Sequence, residues 1–202
     1  EAIMSDQLNT AIAALVAAIG NQPGATNDVS ATAGLNYIAI NNAHALFGDA
    51  SQRLVAQVMT GAMYHKLLGQ NLANAERLFS FSGVQVVDIL GKAVIVTDAA
   101  ALFEAGTPDK QKVLSLADGA AVVMDGSDLI TNIETSNGKE RIETTMQADY
   151  TFGLGLKGFT WDTANGGKSP TSAELATGTN WDLVANSIKG SAGVITIGDA
   201  AK

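Results

Sequence analysis

The chain has 202 residues, 47% hydrophobic and 16% charged, which suits one large or two small globular domains and excludes a disordered protein. Twelve Lys and Arg stand against twenty Asp and Glu, a formal net charge of −8. Scattered cations in an acidic chain exclude a phosphate-gripping reader of nucleic acid, and the lack of any Cys excludes disulfides and thiolate metal sites.

In chain order, Ser5 is placed to cap a first helix running to about Ile19. Leu8, Ile12, Leu15, Val16 and Ile19 form one apolar stripe along it. The pattern is already under way near Ile3, so a helix that begins before Glu1 is expected. Gly20 and Pro23-Gly24 end it. No apolar run approaches the roughly 18 residues of a bilayer span, and no signal peptide is visible. A polar loop over residues 21–32 precedes a second helix over about 33–47, with Leu35, Ile38, Ala39, Asn42 and Leu46 at helical spacing.

From Gly48 to Ala99 the elements follow closely. Asp49 and Gln52 have the spacing of a capping box. Leu54–Met59 reads as a strand and Thr60 as the cap of a short helix opening at Gly61, although one continuous helix from Ala50 to Gln70 fits the same periodicity. A half-buried strand is expected over Val84–Ile89. The β-branched run around Val94, Ile95 and Val96 predicts a central buried strand. Asp98–Phe103 reads as a helical turn and Gly106–Asp109 as a surface turn.

Strands are expected over Lys112–Leu116, Ala120–Met124 and Leu129–Glu134, with Asp125-Gly126-Ser127 turning between the last two. Asn137-Gly138 predicts a two-residue hairpin turn, followed by a long run, Arg141–Trp161, broken at Gly153 or Gly155. Thr163–Ser169 is a Gly-rich loop, and Thr171 with Glu174 is a capping box for a short helix. Trp181–Asn186 and Val194–Ile197 close the chain as strands. Early helices and late strands make the fold class α+β.

Motifs that could carry chemistry are weak. Gly153, Gly155 and Gly158 match GxGxxG, but the strand-like Phe159-Thr160-Trp161 follows where a phosphate-facing helix should start. Gly167-Lys168-Ser169 ends like a P-loop, yet Asp162 stands at the first glycine position and Pro170 removes a backbone donor. His44 and His65 have no ligand partners at metal spacing and read as surface or helix-end residues. Asp118, Asp125 and Asp128 fail the calcium-loop pattern. No nucleophile has an identifiable base. Catalytic, cofactor-binding and metal-binding residues are therefore expected to be none, with no cofactor and no enzyme activity.

The order from Gly48 to Ala99, with its strand ending in Val58-Met59, a small capped helix with Tyr64 and Leu67, then Leu90-Gly91-Lys92-Ala93-Val94-Ile95-Val96-Thr97-Asp98, resembles the apical domain of a tailed-phage major capsid protein. Later, Gly158-Phe159-Thr160-Trp161, Asn165-Gly166-Gly167, Ser169-Pro170-Thr171, Ala173-Glu174-Leu175 and Asn180-Trp181 resemble the closing segment of one branch of that family. The resemblance implies an HK97-type capsid fold core with apical and peripheral domains, lacking the N-terminal arm and extended loop. It implies four parts: 1–32, the end of the spine helix and a linker of the peripheral domain; 33–128, the apical domain with helices and mixed sheet; 129–162, long antiparallel strands of the peripheral domain; and 163–202, a segment returning to the core. The loop over residues 98–111 would sit at a symmetry axis. The implied function is structural. Homo-oligomers, hexamers and pentamers in the intact protein, would form an icosahedral virion shell in the host cytoplasm. That shell would enclose DNA without sequence-specific binding, with scaffolding or decoration proteins as further partners and no membrane. Rival readings are an encapsulin-type shell, a nucleotide-binding enzyme using Gly153–Gly158 or Gly166–Ser169, and an unassembled binding module.

Overall fold

The computed structural model describes residues 2–74, 92–138 and 140–202, with the backbone alone for 2 and 71–74. The strand expected over Val84–Ile89 lies outside the described residues. Helix α1 spans Ala2–Gly20, so Ser5 sits inside it rather than capping it. Of the expected stripe, Ile12, Leu15, Val16 and Ile19 are buried while Leu8 is exposed. Over Ile3–Gly20 the mean hydropathy is 1.3, long and apolar enough to cross a bilayer, which corrects the expectation that no run reaches that length. Its buried face nevertheless packs into the protein, as a core helix does.

Strand β1 (Thr26–Asp28) leads to α2 (Tyr37–Ala45), whose start is fixed by Asn36, its Oδ1 accepting from the Ala39 N–H at 2.8 Å. The buried face of α2 is Ala39, Ile40, Ala43 and His44, with Ile38, Asn42 and Leu46 exposed. Of the expected face, Leu35 and Ala39 are buried, while Ile38, Asn42 and Leu46 are corrected: packing turns Ile40, Ala43 and His44 inward in their place. Residues Gly48–Arg53 form a 3₁₀ turn without a side-chain cap, so the capping box expected from Asp49 and Gln52 does not form. Strand β2 (Leu54–Met59) and α3 (Gly61–Asn74) follow. The continuous helix is thus excluded, and Thr60 Oγ1 accepts from the Met63 N–H at 3.2 Å as the expected cap.

The remaining strands are β3 (Ala93–Val96), β4 (Phe103–Glu104), β5 (Lys110–Ala117), β6 (Ala121–Asp125), β7 (Ile130–Asn137), β8 (Ile142–Asp149), β9 (Phe152–Leu156) and β10 (Phe159–Trp161), then α4 (Thr163–Gly166), α5 (Ser172–Leu175), β11 (Trp181–Leu183) and β12 (Gly193–Asp199). Among the described residues, one mixed sheet runs β1-β12-β5-β2-β3, with β4 also on β5. The last strand of the chain therefore lies inside the sheet. Val58, Leu114 and Ile195 stand at paired positions across β2, β5 and β12 and enter the core with α1. One residue along, Met59 and Val113 point to the other face and join Leu35, Ile40, Met63 and Leu67 beneath α2 and α3. Each such side chain contributes roughly 1.5–3 kcal/mol by leaving water. Gly193 is required where β12 enters the sheet: its φ is +157°, and a Cβ there would lie 2.1 Å from the Ser115 carbonyl oxygen.

Strand β3 corrects another expectation. Among the described residues it is at the sheet edge, with Ile95 and Val96 exposed. A β-branched run marks a strand but does not say how many of its sides are covered.

Beyond the sheet, β6 pairs with β9 and β7 with β8, two antiparallel ladders in one ribbon. The hairpin turn is longer than expected, because Asn137 pairs with Ile142 and leaves four connecting residues. The long run breaks at Tyr150-Thr151 and again at Gly158, not at Gly153 or Gly155, which lie inside β9.

Candidate assembly surface

The closing motifs converge in space. Thr171 caps α5 with its box complete, its Oγ1 accepting from the Glu174 N–H and the Glu174 carboxylate accepting from the Thr171 N–H. Asn180 Nδ2 donates to the Glu174 carbonyl at 3.0 Å, and Trp181 Nε1 donates to the Leu175 carbonyl at 2.9 Å. Strands β10 and β11 place Trp161 opposite Trp181, edge-to-face with centroids 5.0 Å apart. Gly166 lies so close to the Trp161 ring that a Cβ would stand 2.0 Å from Cζ2. The two indoles, with Val122, Gly155 and Phe159, line an open apolar cleft of about 530 Å³. A second groove, about 650 Å³, lies between α1, Phe103 and residues 176–179. The Lys112–Glu104 ion pair, 2.8 Å long, stands among its lining residues.

From the cleft the ribbon leads outward. Its base is clamped at the junction of the two ladders. Asp128 accepts from both the N–H and the hydroxyl of Thr151, at 2.9 and 2.6 Å, and these bonds hold its carboxyl below the ordinary value. The Gly126 N–H donates to the Thr151 carbonyl, and Ser127 takes a φ of +57° to make the turn. The Tyr150 hydroxyl donates to Asp6 on α1, which raises its pKa. Past this clamp every residue of β7 and β8 is exposed on both faces. Ile133, Ile142 and Met146 are 64–69% exposed, unusual for large apolar side chains at regular strand positions.

The other residues singled out in the sequence are scattered. Gly153 and Gly155 face Met124 and Val122 across the ribbon. Gly158, with φ +80°, turns the chain into β10, a strand and not a phosphate-facing helix. Asp162, which occupies the P-loop's first position, caps the four-residue α4 by accepting from the Ala164 N–H. His65 is exposed beside Tyr64. His44 stands in the last turn of α2, the helix-end position expected, but not at the surface: it is 7% exposed, its Nε2 lies 2.9 Å from the Ser115 hydroxyl, and burial together with the Lys92 charge lowers its pKa to about 4. The neighbouring Gln57 amide is fully buried and has no hydrogen-bond partner among the described residues. Among the described residues no three His, Asp or Glu side chains gather at metal-binding distance.

Among the described residues of this α+β protein, a clamped ribbon reaches into solvent and exposes large apolar side chains at regular strand positions. The sequence matches the Gp13-like family, described as Major capsid protein 13-like, over residues 1–195. The chain belongs to that family of phage major capsid proteins, structural proteins of the phage head. No curated protein matches it. Membership implies assembly into a multimeric shell and a place in the virion.

Proposed function

We propose that this protein is the head-shell subunit of a tailed phage or prophage, with an HK97-type capsid fold, self-assembling into a closed icosahedral shell around DNA. The observation that carries this is the family match over residues 1–195, and the ribbon's large exposed apolar side chains support it, since shells are built from surfaces a lone subunit leaves uncovered. In this reading the apical domain is the mixed sheet with α2 and α3, which takes in β1 (Thr26–Asp28) from before residue 33 and the returning strand β12, while β6 leaves the 33–128 segment to join the ribbon. Helix α1 and the late ribbon build the peripheral domain. The exposed loop around Gly106–Asp109 meets its own copies at a symmetry axis, where like surfaces close into rings. The acidic balance of −8 suits a container that holds DNA without gripping it. Hexamers and pentamers are the intermediates, assembled in the host cytoplasm, with scaffolding or decoration proteins as partners. Electron microscopy of the gene product that carries these residues tests the reading. Closed particles of uniform diameter are expected, and monomers at every concentration would overturn it.

A further inference from the structure

The register of the β7–β8 ladder sorts its side chains into two unlike faces. Thr131 with Ala148, Ile133 with Met146, Thr135 with Thr144 and Asn137 with Ile142 share one face. Its eight residues include no ionisable group. The opposite face carries Glu134, Glu143 and Asp149, three carboxylates and no cation. This alternation is the pattern of a sheet with one covered face and one wet face, yet every residue of both strands is exposed, and among the described residues neither face is covered.

We infer that the uncharged face of the β7–β8 hairpin seats on a second copy of this chain. The inference rests on the shell reading and names the segment and the face that make one of its contacts. Charge selects the occupant. A membrane with anionic headgroups, or a nucleic acid, finds no cation on either paired face of the arm and three carboxylates on one of them, so its affinity for the strands is opposed by charge. Two copies of a chain at −8 repel each other too, and approach closely only where no carboxylate is trapped between them. The hairpin meets that condition because all three of its paired carboxylates lie on the far side. Size points the same way: eight paired rows span roughly 26 Å, so one face offers on the order of 250 Å². Two copies together would bury about 500 Å², well under the roughly 1,200 Å² of a free-standing interface. Such a contact serves only when repeated around an assembly, where simultaneous contacts multiply. The Asp128–Thr151 and Tyr150–Asp6 bonds hold the arm's direction before it meets a neighbour.

The test uses the gene product carrying these residues, with a photoreactive benzoylphenylalanine at Ile133 on the uncharged face or at Asn132 on the acidic face. Irradiation of assembled protein should give covalent dimers of this chain at least about tenfold more abundantly from position 133, the contrast expected between a desolvated and a solvated position. Equal yields, or capture of DNA or of another protein, overturn the inference. In parallel, Ile133→Asp with Met146→Asp should raise the concentration needed for assembly by at least about tenfold, because an unpaired carboxylate is costly to bury. Its melting temperature should stay within about 2 °C of the parent, as suits exposed positions. Unchanged assembly of that double variant also overturns it. If the parent protein forms no multimer, the shell reading falls. The 133-to-132 cross-link ratio of concentrated protein then judges the hairpin alone, with a ratio near one counting against it.

Discussion

The mixed sheet and the ribbon are built from the same kinds of strand and come to opposite ends. In the sheet, Leu114 and Ile195 are fully buried between α1 and the neighbouring strands. In the ribbon, Ile133 and Met146 sit at equally regular paired positions and are mostly in water. Apolar side chains at strand spacing stabilise only what covers them. The sheet is completed by its own chain, whereas the inferred cover of the ribbon is another copy. Substitutions should therefore act on folding in one region and on assembly in the other.

The largest expected effects lie in the sheet. Gly193→Ala should cost at least about 3 kcal/mol, since the new Cβ meets the Ser115 carbonyl at 2.1 Å in a backbone geometry that L-residues rarely adopt. Ile195→Ala should cost about 2–5 kcal/mol. Urea denaturation measures both, and a loss under about 1 kcal/mol for either would mean a looser core than these contacts require.

Next comes a pH effect within the sheet. The folded-state pKa of His44 is lowered from 6.5 to about 4 by burial and by Lys92. The fold thus favours the neutral ring, and its contribution is fully present above pH 6.5 and lost as pH falls toward 4. The loss should amount to about 2–3 kcal/mol over that window. His44→Gln, which can still bond to Ser115, should flatten this part of the stability–pH curve. Identical curves for parent and variant would refute the assignment.

A smaller effect is expected at the cap of α5. Thr171→Ala removes the α5 cap and should cost about 1 kcal/mol, read as a shift in the urea midpoint. Smallest of all, Ile133→Ala in the ribbon should change monomer stability by less than about 0.5 kcal/mol. A loss of several kcal/mol there would show that the chain covers its own ribbon, and the contrast between the regions would collapse.

How much of this was legible in the sequence follows from which forces are local. The Thr60 and Thr171 caps, the strand character of Phe159-Thr160-Trp161 and the strands β5, β6 and β12 rest on nearest-neighbour chemistry, and sequence spacing found them. The face of α2 did not, because Ile38 and His44 offered rival stripes and only packing against the sheet put the imidazole inside. The break at Tyr150-Thr151 escaped notice because it is set by Asp128, twenty-three residues away. The β-branched run at Val94–Val96 announced a strand without announcing an edge. The ribbon's surface role was half visible: Thr131, Ile133 and Thr135 alternate against Glu134, a pattern that declares two faces. Only the three-dimensional arrangement reveals that neither face is covered by the described residues.

The central claim is that copies of this chain build a closed shell, and the mass of the assembled gene product tests it most directly. Multi-angle light scattering coupled to size separation should find a discrete species of megadalton mass, with particles of one diameter in the same fraction by electron microscopy. A single monomer peak, unchanged as concentration rises and salt screens the acidic surface, would contradict it.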